Sequence, residues 1–260
     1  MKVIVCGKGG SGKSTLAAMI AIALKNKELR VLLVDADESN FGLHRLMGVP
    51  YPVSLLDSLG GKKGFREKMA APFPRGPGAD LFKDGMSIDE IPATCIARTD
   101  GIELLVIGKI HHFGEGCACP MGVLSKMILS KLAIKDNEIV VIDTAAGVEH
   151  FGRGVDAAGD LILGIVDPTY ESFLLARNMR EMAAKAGIEI FFVLNKVDEQ
   201  NKLAMIQNIG SEKIVAVIPQ NNLIYMDNLA GKQLRTNLVE IAPICRLIED
   251  MKTKSKGNHI

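Results

Sequence analysis

Residues 7–14 read Gly7-Lys8-Gly9-Gly10-Ser11-Gly12-Lys13-Ser14 and fit the pattern G-x-x-x-x-G-K-[ST]. They stand between a Val- and Ile-rich run, Met1 to Gly7 (MKVIVCG), and a stretch of helical composition, Ser14 to Lys27. That context constrains the fold strongly, because a buried strand must run into a glycine turn that opens a helix. The glycines let successive backbone N–H groups turn inward around a β-phosphate, and the helix N-terminus adds partial positive charge. Lys13 then reaches the β and γ oxygens, and Ser14 is a candidate Mg²⁺ ligand. The candidate phosphate-binding residues are therefore Gly7, Lys8, Gly9, Gly10, Ser11, Gly12, Lys13, Ser14 and Thr15. A turn that bound nothing would need neither the Lys nor the Ser.

The rest of the chain repeats the order of strand and helix. Arg30–Val34 closed by Asp35, Ile102–Ile107, Glu138–Ile142, Leu161–Val166, Ile188–Leu194 and Lys213–Ile218 are short runs apolar on both faces, as expected of buried parallel strands. Helical stretches such as Met121–Leu132 and Glu171–Lys185 lie between them. The alternation predicts an α/β fold: a doubly wound, mostly parallel sheet with helices on both faces and ligands at the carboxyl ends of its strands. We expect a single domain over 1–260. Within it, 60–100 reads as an irregular excursion and 251–260 as a frayed polar tail.

With 31 Lys and Arg against 30 Asp and Glu, the net charge of +1 creates no global field for nucleic acid or anionic lipid, and neither is expected as a partner. The longest apolar run, Leu16–Leu24, falls short of the roughly 20 residues that cross a bilayer, and no signal-peptide pattern opens the chain. A cytoplasmic location is expected. Five cysteines without an export signal argue for thiols that are core residues or metal ligands, not for a disulfide framework.

Lys8 adds a second cation to the loop and makes it K-G-G-x-G-K-S. This resembles the deviant Walker A motif of the ATPase class that includes MinD, ParA, the nitrogenase iron protein and metal-insertion ATPases. The resemblance implies ATP or ADP with Mg²⁺ as ligands. It also implies a nucleotide-dependent homodimer in which Lys8 crosses to the partner's nucleotide as a catalytic residue, beside Lys13. It implies further that Asp37 of Asp35-Ala36-Asp37 polarises the attacking water and bears on Mg²⁺ through water. Asp143, opening Asp143-Thr144-Ala145-Ala146-Gly147, resembles a Walker B aspartate holding Mg²⁺ through water, with the Gly147 amide as a γ-phosphate sensor. Asn195-Lys196-Val197-Asp198 is like the N-K-x-D element that reads guanine; in the resembled ATPases the Asn contacts adenine, and Pro219-Gln220-Asn221 supplies backbone contacts to the base. ATP is the expected nucleotide, with GTP as the alternative through Asp198.

Gly114-Glu115-Gly116-Cys117-Ala118-Cys119-Pro120 narrows the function. Two thiolates at this spacing, on a glycine-flanked loop before a helix, supply two of the four ligands that Ni²⁺ or Zn²⁺ favours, and a twofold dimer supplies the other two. At this motif the chain resembles the CooC-type ATPases, which mature carbon monoxide dehydrogenase by inserting nickel. That resemblance implies an ATP-hydrolysing metallochaperone with Cys117 and Cys119 as Ni²⁺ or Zn²⁺ ligands and carbon monoxide dehydrogenase as client. A MinD- or ParA-type positioning ATPase and an electron-transfer ATPase with a bridging iron–sulfur cluster are the alternatives.

Overall fold

The computed structural model describes residues 1–70, 81–111, 119–148 and 159–257. Its centre is an eight-stranded sheet in the order β3-β4-β2-β5-β1-β6-β7-β8. The strands are β1 (Lys2–Gly7), β2 (Arg30–Ala36), β3 (Ile96–Thr99), β4 (Ile102–Val106), β5 (Glu138–Thr144), β6 (Leu161–Val166), β7 (Glu189–Val197) and β8 (Ile214–Pro219). All neighbouring pairs are parallel except β3 with β4. From β1 the chain goes to β2 on one side and, after β5, to β6 on the other, so the winding reverses at β1. A reversal of this kind opens a crevice beyond the strand ends, and the phosphate loop lies in it.

The strands read as unbroken apolar runs because both of their faces are covered. Ile4 and Cys6 of β1 pack into one core, whereas Val3 and Val5 pack into the other. The first core is covered by α3 (Leu55–Ser58), α4 (Gly61–Met69), α5 (Cys119–Lys131), α6 (Tyr170–Ala186) and α7 (Lys202–Ile209). The second is covered by α1 (Lys13–Lys25), α2 (Leu43–Leu46) and α9 (Ala242–Gly257), while α8 (Asn222–Leu229) lies at the rim. In α1, Leu16, Ile20 and Leu24 recur every four residues on the buried face, with Ala17 and Ala21 allowing close approach to the strands.

Three stretches differ from the sequence expectation. Residues 60–100 are more regular than their composition suggests: they contain α4, two 3₁₀ turns at Ile88–Glu90 and Ala93–Cys95, and the edge strand β3, with 71–80 outside the described residues. In α4 only Phe65 is buried, so its charges hid the helix. Beyond residue 250 the polar chain stays helical through Gly257, as the continuation of α9. Asn195 and Lys196 belong to β7 itself; the pairing with β8 shifts register between Leu194 and Val197, where Lys196 takes a positive φ of 59°.

Candidate functional site

The sequence places a charged or polar residue at almost every strand end on one rim of the sheet, and the topology gathers them. The loop after β1 closes with a hydrogen bond from the Ser11 N–H to the Lys8 carbonyl at 3.1 Å. Gly12 caps α1 at φ 99°, and a Cβ there would lie 2.4 Å from Nδ2 of Asn195. Both the backbone and the space require glycine. Lys13 is only 6% exposed, and its ammonium curls over the loop to donate to the Lys8 carbonyl at 3.1 Å.

Three carboxylates lie beneath. Asp143, at the end of β5, is fully buried, and neither of its oxygens has a hydrogen-bond partner. Burial first and the nearby Asp35 carboxylate second push its carboxyl up to about 7, which the neighbouring Ser14 hydroxyl and Lys13 ammonium only partly offset. Asp35, at the end of β2, is raised to about 6 by burial despite an ion pair with the buried Lys109 at 2.7 Å. Asp37 accepts from the Ser39 N–H at 2.9 Å and the Ser39 hydroxyl at 2.7 Å. The Asn40 amide donates to the Ser14 hydroxyl at 2.7 Å, which ties the segment after β2 to the phosphate loop. Among the described residues, no group of three or more His, Cys, Asp or Glu side chains is placed to hold a metal ion. A hard cation here would take one or two carboxylates, a hydroxyl and water, as Mg²⁺ commonly does.

A cavity of about 780 Å³ joins the phosphate loop to a second, more apolar end. Gly9, Gly10, Gly12, Lys13, Ser14, Thr15 and Asp37 line it, and so do Asn195, Lys196, Pro219, Gln220 and Asn221. The Asn221 side chain also caps α8, accepting from the Ile224 N–H at 3.1 Å. Sequence reasoning missed Arg45, Ile224, Tyr225, Asn228 and Lys232, which line the same cavity. Only one signal was available: Asn221 as a helix cap presents Ile224, Tyr225 and Asn228 on successive turns of one face.

Several side chains are held differently from the expectation. Lys8, expected to project outward, pairs within the chain with Asp167 at the end of β6, 3.4 Å away. The Asn195 amide, expected at the base, donates to the Ser11 carbonyl at 2.8 Å, and Lys196 donates to the Gly10 carbonyl at 2.7 Å. Both brace the phosphate loop. The Gly147 amide donates to the Gly7 carbonyl at 3.1 Å. Asp198 accepts from the backbone amides of Gln200 and Asn201 in a local turn. Cys117 lies outside the described residues. Cys119 is exposed as the first residue of α5, so it belongs to the helix and not to the loop before it. Cys6, Cys95 and Cys245 are buried in the core.

Residues 2–234 match the CobQ/CobB/MinD/ParA nucleotide binding domain. The chain belongs to that family. It is 43% identical to an uncharacterised ATP-binding protein of Methanocaldococcus jannaschii, over 95% of this chain and 99% of that one. It is 32% identical to the carbon monoxide dehydrogenase accessory protein CooC of Rhodospirillum rubrum, over 95% of this chain and 92% of that one. Among solved structures, the septum site-determining protein MinD of Pyrococcus horikoshii, complexed with Mg-ADP, superposes with a TM-score of 0.67 at 19% identity, covering 95% of this chain and 94% of that one. The protein is an ATP-binding P-loop ATPase of the MinD/ParA class. No helix among the described residues is long and apolar enough to cross a membrane.

Proposed function

We propose that the protein is an ATP-driven metal carrier, a single domain that dimerises with nucleotide and holds nickel or zinc on Cys117 and Cys119 of each subunit for delivery to carbon monoxide dehydrogenase. The observation that carries this reading is G-E-G-C-A-C-P at 114–120, in a chain 32% identical over nearly all its length to a carbon monoxide dehydrogenase accessory protein. A twofold axis between two such pairs completes four sulfur ligands, which suits a soft divalent ion. Cys119 is exposed, so a second copy can reach it.

The nucleotide end fits Mg²⁺, because the two unpartnered oxygens of Asp143 are what a hard cation and its water shell satisfy. Asp143 and Ser14 would hold the ion, with Asp37 contributing through water; when bound, it neutralises charge on the β- and γ-phosphates. Lys13 and the loop amides bind the phosphate oxygens. Asp37 accepts a hydrogen bond from the attacking water and so aims its oxygen at the γ-phosphorus, while the bond to the bridging oxygen of the departing ADP breaks. Lys8 leaves Asp167 to reach the facing subunit's nucleotide. Pro219, Gln220, Asn221 and Tyr225 border the base. ATP is favoured over GTP, a reading supported by Asp198 Oδ1 accepting from two amides of its own turn.

The test is anaerobic equilibrium dialysis of the reduced protein with Ni²⁺ or Zn²⁺, beside titration with a fluorescent ATP analogue. Replacing Cys117 and Cys119 with Ala should abolish stoichiometric metal binding and leave nucleotide affinity unchanged. Metal binding that survives both substitutions removes the reading.

A further inference from the structure

Lys109 belongs to no motif, yet its side chain is fully buried and all of its hydrogen-bonding capacity is spent on one segment. Its ammonium donates to the Asp35 carboxylate at 2.7 Å and to the backbone carbonyls of Asp37 and Asn40. Those three acceptors use the three protons an ammonium has. Beside them, the Ile107 and Ile110 N–H groups donate to the Asp35 and Glu38 carbonyls, each at 3.0 Å. Residues 35–40, which form one wall of the nucleotide cavity, are thereby locked to residues 107–110.

On its other side this lock touches α5. A Cβ at Gly108 would lie 3.1 Å from Cγ of Met121 and 3.1 Å from Cβ of Leu56, so both side chains pack over the backbone at 108 and leave no room for a side chain there. Met121 is 3% exposed and stands two residues past Cys119 in the first turn of α5. An unbroken line of contact therefore runs from the Ser14 hydroxyl through the Asn40 amide, Lys109 and Gly108 to Met121 and the helix that Cys119 begins.

We infer that Lys109 is a positioning residue that carries nucleotide state to the cysteine end of α5. Nucleotide and cation at Ser14 compete with the Asn40 amide for the Ser14 hydroxyl, and Asn40 also supplies one of the carbonyls that Lys109 holds. A buried ammonium cannot leave an acceptor unmatched without a desolvation cost, so it follows the segment as that segment moves. Met121 packs over the backbone at 108, and through that contact the displacement passes to the first turn of α5. Linkage makes the effect reciprocal: metal on the cysteines must change nucleotide affinity by the same factor. The inference rests on the metal-carrier reading for what is coupled, whereas the mechanical link rests on the contacts alone.

Hydrogen exchange with and without a Mg²⁺-bound nonhydrolysable ATP analogue tests the link. In the wild type the analogue should slow exchange at 36–42 and also, by about fivefold or more, at 107–111 and in the first turn of α5. In Lys109→Met the protection at 36–42 should persist, and the protection at 107–111 and in α5 should fall below about twofold. Because that substitution strands Asp35 without its cation, the paired variant Asp35→Asn/Lys109→Met removes charge and partner together and should behave alike. Undiminished protection of α5 in either folded variant overturns the inference, and so does a wild type in which only 36–42 responds. Zn²⁺ affinity of the reduced protein, with and without the analogue, gives a second reading. The wild-type ratio should be about fivefold or more and should collapse towards unity in the variants. A wild type that binds no Zn²⁺ defeats the carrier reading and leaves the exchange result to decide the link.

Discussion

The two ends of the nucleotide cavity are made by different means. At the phosphate end, one continuous stretch of sequence lies over a buried layer in which Lys13, Asp37 and Asp143 are 6%, 5% and 0% exposed. At the base end, residues from β7, β8, α8 and the turn at 231–232 meet without a common motif, and Tyr225 is 61% exposed. The first end holds strong charges in a poorly solvated place, where each is worth much in binding and costly to leave unpaired. The second offers apolar contact in water, where single contacts are weak. Substitutions at the two ends should therefore separate by size.

The largest effect is expected at Lys13. Its replacement by Ala removes the cation that the buried loop keeps within reach of the phosphates, and should weaken binding of an ATP analogue by about 3 kcal/mol, roughly 100-fold, in a fluorescence titration. A loss below about tenfold would erase the distinction between the two ends.

Asp143→Asn should split two measurements. Without Mg²⁺ and nucleotide, the carboxylate is buried without a partner, so the amide variant should melt a few degrees higher than the wild type. Mg²⁺-dependent turnover should fall by about 100-fold or more. The pH dependence has a definite sign. The carboxyl of Asp143 is raised to about 7 in the fold from its ordinary value of 3.8, so the folded protein binds more protons than the unfolded chain between those values. Stability of the nucleotide-free wild type should consequently decline as pH rises from about 4 to about 7, and Asp35, raised to about 6, adds in the same direction. Calorimetric melting across that range should show the decline shallower in Asp143→Asn.

The smallest effect belongs to the base end. Tyr225→Ala should weaken the analogue by about 1 kcal/mol, roughly fivefold, because a half-solvated ring contributes little beyond its contact area. A loss as large as that of Lys13→Ala would show that the base end is closed over in the bound state.

The same contrast governs what the sequence revealed. The strands were legible because both of their faces are buried, which makes each a short apolar run with few competing readings. The phosphate loop was legible because its chemistry needs consecutive residues. β3 was hidden, since it has four residues of which Arg98 and Thr99 are polar. The bracing by Asn195 and Lys196 was not legible because a polar pair at a strand end carries no indication of whether it also holds backbone. Lys109 was illegible for a plainer reason. Its partners lie 69 to 74 residues away in sequence, and two of them are carbonyls, which any residue could have supplied.

The outer margin of the sheet also bears on how copies can meet. β3 is antiparallel, four residues long, and carries Arg98 tethered to Glu103. A neighbouring molecule trying to continue the sheet there would find a short, reversed and charged border, which resists strand addition. Self-association along that border by ladder pairing is thus discouraged.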